Sequence, residues 1–198
     1  MPQPILLLDV MSTIVYDPFL VELPAFFNMS FRELIKDKDP TAWPRFERGE
    51  IDEQTFWQEF FLDRRDVDIR GLRQTLQSAY RFEPGMEQLL GDLHQHNIPM
   101  HTLSNYPSWW QLIEDKLALS RYLQWTFVSC HIGLRKPDPD IYIHAAKHLG
   151  VPTTQCVFVD DRQSNCNAAI EVGMRAIQYQ DADQLRAALQ DHGIGNVG

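Results

Sequence analysis

The sequence has few cysteines, fewer basic than acidic residues and no long apolar run, and each shortage excludes a class of protein. Three of its 198 residues are cysteines, without the C-x-x-C spacing of metal sites, so we expect reduced thiols that pack in the core. The formal net charge of -9 argues against nucleic acid as a partner, because nucleic acid requires a basic surface. No apolar run approaches the roughly 20 residues of a membrane span, so we expect no membrane partner.

The first four residues lead directly into an apolar segment, with no basic stretch and no cleavage-type site. A secretory signal needs both features, so the sequence predicts a cytoplasmic protein. Hydrophobic residues make up 44% of the chain and charged residues 23%, which is typical of a folded protein rather than a disordered one. The length allows one sizeable core and a smaller lobe.

The most informative feature present is a short apolar strand that ends in an acid. Residues 5–8 are aliphatic without polar alternation, which is typical of a strand buried on both faces, and Asp9 follows them. In open α/β sheets, ligands bind at the carboxyl ends of the strands. Asp9 is therefore a catalytic candidate, although an acid in this position can also cap the following turn.

Residues 17–83 are rich in aromatic side chains at helical spacing and contain no convincing strand. Within this segment a helix is predicted to begin after Asp52, an N-cap residue type. Aromatic residues at helical spacing usually pack against neighbouring helices, so we expect a core cluster and not a ligand cage. The residues of that predicted cluster are Phe56, Trp57, Phe60 and Phe61.

From residue 84 onward, helices and strands alternate in a pattern typical of a parallel sheet that helices cover on both faces. Further strands are predicted at residues 98–104, 126–129, 156–160 and 175–179. Pro84 is predicted at the first position of a helix, and Ser108 with Gln111 as the capping box of another. Residues 195–198 are predicted to be a frayed tail. The chain is thus assigned to the α/β class with an inserted helical lobe.

Three further polar features follow Asp9 in order. Ser104 ends the second predicted strand, and Lys136 precedes a helix in the stretch G-x-x-K-P-D-P. The fourth predicted strand ends at Asp160, which Asp161 follows. Each feature alone is common at strand ends and helix starts, but the ordered series resembles that of the haloacid dehalogenase superfamily of hydrolases. The resemblance spans the whole chain.

This resemblance implies a fold and an activity. The fold would be a Rossmann-like three-layer α/β/α core with a central parallel sheet, formed by residues 1–16 and 84–198. Residues 17–83 would form a small α-helical cap that opens and closes over the core and excludes water. The activity would be Mg²⁺-dependent hydrolysis of a small phosphorylated molecule.

The resemblance also implies a role at each matching position. Asp9 would attack phosphorus and form an aspartyl-phosphate, which divides one difficult displacement into two easier ones. Lys136 would neutralise charge on the phosphate and the nucleophile. Mg²⁺ would bind the carboxylates of Asp9 and Asp161, the backbone carbonyl of Met11 and, directly or through water, Asp160.

A second set of residues would bind the phosphate. Ser104, with backbone N–H groups near Ser12 and Thr13, would donate hydrogen bonds to the phosphoryl oxygens. Ser104 would count as catalytic with Asp9 and Lys136, and Asn105 would join Ser12 and Thr13 in binding the substrate. Asn105 and Asn165 are further expected to orient neighbouring residues.

The chain departs from the family's pattern at positions 11 and 12. Phosphatases of this family carry a second Asp two residues after the nucleophile, where it transfers protons, and this chain has Met11 there. Ser12 replaces the usual Gly. A thioether carries no proton, and loss of a positioned acid or base slows a reaction by about 10²–10⁴-fold. We therefore expect a weakened phosphatase that favours good leaving groups and accumulates phospho-Asp9.

Other functions remain open at this stage. The chain could be a catalytically impaired pseudo-enzyme that binds a ligand or a protein partner. Dehalogenases of the superfamily need no proton donor for the leaving halide, but they also do not need the acidic pair. Phosphonatases use a lysine of the cap, and the two candidates here, Lys36 and Lys38, are expected in a solvated loop. Both of these activities rank below phosphate hydrolysis.

The substrate itself does not follow from the sequence. Residues beside the motifs and in the cap are candidates to face the cleft, although most are expected to be packing residues. They are Tyr16, Asp17, Phe19, Arg45, Arg48, Tyr106, Trp109 and Trp110.

Overall fold

The computed structural model describes residues 3–194, and five parallel strands form one sheet in this part of the chain. The strands are β1 (Ile5–Leu8), β2 (Met100–Ser104), β3 (Gln124–Val128), β4 (Cys156–Asp160) and β5 (Arg175–Gln178). Their order across the sheet is β3-β2-β1-β4-β5. The chain moves outward from β1 to β3 and then crosses to β4 on the other side of β1. This reversal opens a crevice at the carboxyl ends of β1 and β4.

Strand register brings the predicted polar residues to one edge of the sheet. Leu8 lies opposite Thr102 of β2 and Val159 of β4, and the backbone N–H of Asp9 donates to the carbonyl oxygen of Val159 at 2.9 Å. Because the three strands are parallel, the residues at their carboxyl ends meet. The sequence-based prediction of the sheet and its strands is confirmed.

The first strand is buried on both faces, as predicted. Leu6 and Leu8 pack in one apolar cluster and Leu7 in the other. Three-layer packing requires this alternation, because successive side chains of a strand point to opposite faces of the sheet.

Six helices lie between β1 and β2 in the chain, and we call the first five the five-helix insert. They are α1 (Glu22–Phe26), α2 (Phe31–Asp37), α3 (Ala42–Glu47), α4 (Glu53–Phe60) and α5 (Ile69–Ala79). Asp52 caps α4 as predicted, since its Oδ1 accepts from the backbone N–H of Thr55 at 2.7 Å. The four aromatic residues predicted to form core are all buried. The ring of Phe46 stacks on that of Phe56 with centroids 4.5 Å apart.

The remaining helices cover the two faces of the sheet. They are α6 (Met86–Gln95), α7 (Trp110–Leu117), α8 (Ser129–Ile132), α9 (Pro139–His148), α10 (Gln163–Glu171) and α11 (Ala182–Asp191). Helices α6, α7 and α11 share the apolar cluster of Leu6 with the five-helix insert, and α9 and α10 share that of Leu7. Among residues 3–194, no helix is both long and apolar enough to cross a lipid bilayer.

Two predicted helix starts are wrong. Helix α6 begins at Met86 after Gly85, whose φ of 79° lies in the left-handed region, so Pro84 stands outside the helix. Helix α7 begins at Trp110, and no side-chain cap precedes it. The backbone N–H of Gln111 donates to the backbone oxygen of Ser108 instead, which leaves no capping box. The predicted frayed tail lies outside the described residues.

Candidate active site

A cavity of about 290 Å³ lies at the crevice between the sheet edge and the five-helix insert. Asp9, Lys136 and Asp161 line its charged side. Asp9 follows the last residue of β1, and Asp161 follows the last residue of β4. The fold thus assembles residues that are up to 152 positions apart in the sequence.

Lys136 joins two carboxylates in the interior. Its Nζ lies 2.8 Å from Asp9 Oδ1 and 2.5 Å from Asp160 Oδ2, and all three side chains are buried. Burial disfavours the charge on Lys136, but the two carboxylates outweigh burial and raise the pKa of the amine. Burial raises the pKa of Asp9 to about 7, opposed by Lys136 and assisted by the negative charges of Asp160 and Asp161. One ammonium therefore pairs with two of these three carboxylates.

The excess negative charge fits a divalent cation. Asp9, Asp160 and Asp161 each offer a carboxylate oxygen, and these oxygens all lie within 4.8 Å of one another. Burial, together with the charge of Asp160, also raises the pKa of Asp161. Hard oxygen donors with room for water suit Mg²⁺, so the residues present could hold this ion. The side chain of Met11 lines the same cavity.

Two asparagines that also line the cavity orient this cluster by hydrogen bonds, as predicted from the sequence. Asn105 Nδ2 donates to the backbone oxygen of Lys136 at 2.8 Å, and Asn105 Oδ1 accepts from its backbone N–H at 2.7 Å. Asn165 Nδ2 donates to both oxygens of Asp160 at 3.0 Å. The side-chain amide of Asn105 therefore holds the backbone of Lys136, and the amide of Asn165 orients the carboxylate of Asp160.

Two buried hydroxyl groups lack a hydrogen-bond partner among the described residues. They are Ser104 Oγ and Thr13 Oγ1, and both residues are fully buried. An unpaired buried polar group costs about 1–3 kcal/mol, so such groups usually serve a ligand, a water or a function. Neither residue lines the cavity, but their neighbours Asn105 and Ser12 do.

The turn after Asp9 departs from the sequence-based expectation. The backbone N–H of Ser12 donates to the oxygen of Val15 at 2.7 Å, and that of Thr13 to the oxygen of Val10 at 3.4 Å. Both donors predicted for phosphate thus make bonds within the turn. Ser12 has a φ of 58°, in the left-handed region that favours the Gly it replaces.

Aromatic residues form the opposite side of the cavity. Phe19, just before α1, and Trp43 of α3 contact each other with ring centroids 5.6 Å apart. The ring centroid of Trp43 also lies 5.8 Å from that of Trp109. All three rings line the cavity. A ligand here would meet charge at one end and aromatic surface at the other.

A partly buried ion pair lines the cavity and joins α3 of the insert to the loop before α9. Glu47 Oε2 accepts from Arg135 Nη2 at 2.6 Å, and Glu47 Oε1 accepts from Trp43 Nε1 at 2.7 Å. Burial raises the pKa of Glu47, while Arg135 opposes the shift. Sequence reasoning missed Arg135 and also Arg162, another cavity residue. Their positions directly beside Lys136 and Asp161 were the available signal.

Half of the predicted cleft residues line the cavity. Asp17, Phe19, Tyr106 and Trp109 do so, whereas Tyr16, Arg45, Arg48 and Trp110 do not. Arg45 pairs with Glu59 and Arg48 with Glu50, and the Trp110 ring lies on Trp125. Lys38 lines the cavity, contrary to the expectation of a solvated loop.

Comparison with known proteins assigns the family. A family model described as haloacid dehalogenase-like hydrolase matches residues 24–173. The chain is a haloacid dehalogenase-like hydrolase. It is 48% identical over 191 residues to flavin mononucleotide hydrolase 1 of Arabidopsis thaliana, covering 96% of this chain and 78% of that protein. It is also 26% identical over 163 residues to a sesquiterpene phosphatase of Aspergillus oryzae, covering 78% of this chain and 81% of the other.

Solved structures of haloacid dehalogenase-like enzymes share the fold. A family enzyme of Bacteroides thetaiotaomicron, crystallised with magnesium and inorganic phosphate, superposes with a TM-score of 0.73 at 17% identity. The match covers 91% of this chain and 96% of that one. L-2-haloacid dehalogenase of Xanthobacter autotrophicus gives a TM-score of 0.64 at 17% identity, over 99% and 86% of the two chains. At these identities the likeness establishes the fold alone.

Proposed function

We propose that this hydrolase is a Mg²⁺-dependent phosphatase that removes the phosphate of flavin mononucleotide. The observation that carries the proposal is one cavity with carboxylates and Lys136 at one end and Phe19 and Trp43 at the other. Such a cavity suits a phosphate ester that carries a large planar ring, because stacked and edge-on rings attract beyond their buried area. The name of the relative at 48% identity supports the same substrate.

In this proposal the chain's own groups prepare the displacement. Asp9 is the nucleophile, held 2.8 Å from Lys136 so that one carboxylate oxygen has a fixed direction. Asn105, which lines the cavity, holds the backbone of Lys136 and so fixes the start of the side chain that carries the ammonium. Bound Mg²⁺ would supply positive charge between the nucleophile and the phosphate, held by Asp9, Asp160 and Asp161.

The five-helix insert is proposed to act as the cap over residues 1–16 and 84–198. Its Trp43, together with Phe19 just before α1, contributes to the aromatic side of the cavity, so substrate choice would rest in part on this segment. A closed cap would also keep bulk water from the aspartyl-phosphate.

Purified protein with Mg²⁺ and flavin mononucleotide tests the proposal by phosphate release and by chromatographic separation of riboflavin. Asp9→Asn is expected to lower kcat/KM by at least about 10³-fold, as loss of a nucleophile does. Phe19→Leu keeps apolar volume but removes the ring, so KM for flavin mononucleotide should rise roughly tenfold. KM for phosphoglycolate, which has no ring, should stay unchanged.

Phe31→Leu is the matched control, because Phe31 packs edge-on against Phe19 without lining the cavity. Equal turnover of phosphoglycolate and flavin mononucleotide would contradict the proposed substrate. Turnover that survives Asp9→Asn would contradict the proposed nucleophile. Mg²⁺ and flavin mononucleotide binding without any turnover would favour the pseudo-enzyme.

A further inference from the structure

We propose that Asp17 is the general acid and base of this hydrolase, a task for which position 11 offers only a thioether. The inference rests on the proposed function and names a further catalytic residue for it. It is carried by the carboxylates that share the cavity with Asp9 and by the hydrogen bonds that each of them makes.

Elimination among these carboxylates leaves Asp17. Four line the cavity among the described residues: Asp9, Asp17, Glu47 and Asp161. Asp9 contacts Lys136 and is the nucleophile, and Asp161 belongs to the cluster that fits Mg²⁺. Both oxygens of Glu47 are occupied, one by an arginine and one by an indole N–H. Glu47 is thus held in place as an ion-pair partner.

The other acidic group on the cavity wall is less suited to the task. The hydroxyl of Tyr106 lies 2.7 Å from that of Tyr80, and both are buried. Burial raises the pKa of Tyr106 well above its ordinary value, and the neighbouring Tyr80 adds to the shift. A phenol of that kind neither accepts nor returns a proton readily near neutral pH.

Asp17 keeps one carboxylate oxygen free for the task. It lines the cavity with Asp9 and lies two residues beyond Val15, whose backbone pairs with that of Phe82. Its Oδ1 accepts from the backbone N–H of Phe19 at 2.9 Å, which fixes the carboxylate. Its Oδ2 makes no hydrogen bond among the described residues, so one oxygen remains for a substrate or a water.

The surroundings of Asp17 favour proton binding. Burial raises its pKa, the N–H of Phe19 and the positive charge of Arg162 oppose the shift, and Glu22 adds to it. Burial raises the pKa values of Tyr80 and Tyr106, and the charge of Asp17 adds to both shifts. A carboxyl group with a raised pKa can hold a proton before the reaction and release it during the reaction.

The two half-reactions balance with water as the only co-reactant. In the first, an Asp9 oxygen bonds to phosphorus as the bond from phosphorus to the ester oxygen breaks. The electron pair passes to that oxygen, which takes the proton of Asp17. In the second, the Asp17 carboxylate takes a proton from water as the water oxygen attacks phosphorus. The electron pair of the broken bond returns to the Asp9 carboxylate, and Asp17 is protonated again.

Asp17→Asn tests the proposal because Asn keeps an acceptor for Phe19 but carries no proton. The expected result is a loss of about 10²–10⁴-fold in kcat with flavin mononucleotide. With p-nitrophenyl phosphate, whose leaving group needs no proton, the first half-reaction should survive and the second should stall. A burst of p-nitrophenol close to one equivalent, with accumulation of phospho-Asp9 by mass, is then expected.

Three further variants sharpen the test. Met11→Asp in the Asp17→Asn background should recover activity, because it places a proton carrier at the position where the family has one. Asp66→Asn removes the same charge from an exposed part of the insert and should leave kcat unchanged. Asp17→Ser, whose hydroxyl can also accept from Phe19, repeats the measurement if the Asn variant unfolds.

Three outcomes overturn the inference alone. One is a kcat within twofold of wild type for Asp17→Asn, and another is an equal loss of kcat on both substrates without a burst. The third is a loss of kcat for Lys38→Gln, which changes another titratable cavity residue, that exceeds the loss for Asp17→Asn. A wild-type protein that releases phosphate from neither substrate overturns the proposed function itself, and the inference falls with it. The two failures are therefore distinguishable.

Discussion

Asp9 is a buried carboxyl group that shares the ammonium of Lys136 with Asp160. Its pKa rises to about 7 from an ordinary value of 3.8, chiefly because burial disfavours the charged form. Protonation in the folded state therefore stabilises the metal-free protein fully below pH 3.8, and this contribution is lost as the pH rises through about 7. We expect the free energy of unfolding in EDTA to fall across this range.

Asp9→Asn removes the titrating group while keeping its shape, so the variant should lose most of that fall and be more stable than wild type at pH 8 in EDTA. Urea unfolding at pH 4, 6 and 8 measures the difference. Asp115→Asn, at a distance from the cluster in α7, serves as the control with the same charge change. Parallel pH profiles of wild type and Asp9→Asn would refute the prediction.

At the scale of elements, the turn between α3 and α4 approaches the sheet domain without space for a side chain. Gly49 has a φ of 68°, and a Cβ there would clash with the backbone oxygen of Cys130 in α8. A non-glycine residue in the left-handed region costs about 1–2 kcal/mol before any clash. Gly49→Ala is therefore expected to destabilise the protein by more than that amount.

Gly133→Ala is the matched control for Gly49→Ala. Gly133 has a φ of 71°, and a Cβ there would meet no atom within 4 Å. Its replacement should cost only the backbone penalty of about 1–2 kcal/mol. The difference between the two variants in urea unfolding isolates the contact between the insert and α8. Equal losses would show that this contact is loose.

Sequence patterns predicted elements where local chemistry decides them. The aliphatic run before Asp9 predicts β1, and Asp52 predicts the start of α4, because strand burial and N-capping depend on a few adjacent residues. The same reasoning fails at Gly85, because its left-handed backbone places the start of α6 at Met86, after Pro84. Just before Pro84, the backbone N–H of Glu83 donates to the oxygen of Ile14, a distant segment, and no local pattern records this bond.

Some residues of the candidate site could likewise be predicted from local sequence patterns, and others could not. Asp9 and Lys136 can be placed from strand ends and motif spacing, because parallel strands align their carboxyl ends. Glu47 and Arg135 cannot, since their pairing depends on how the insert packs and no local pattern records a partner 88 residues away. Position 11 lies between these cases: the sequence shows that the acid is missing there, and only the structure shows that Asp17 lines the same cavity.

At the scale of the whole molecule, the Glu47–Arg135 pair is a charged contact that ties the insert to the rest of the chain beside the cavity. Glu47 is 7% exposed and Arg135 33% exposed in their side chains. Removing one partner of a fully buried pair costs about 3–5 kcal/mol, and the partial exposure of Arg135 places the expected loss below that range. Glu47→Gln and Arg135→Gln should each destabilise the protein measurably in urea unfolding.

The double variant distinguishes an interaction from two separate effects. If the pair holds the insert, Glu47→Gln with Arg135→Gln should destabilise by less than the sum of the single changes, because the second change no longer leaves a buried charge unpaired. Arg48→Gln with Glu50→Gln, an exposed pair within the insert, should show little coupling. Additive losses at Glu47 and Arg135 would mean that the pair does not hold the insert, and that its packing rests on apolar contacts such as the stacked Trp57 and Trp109 rings.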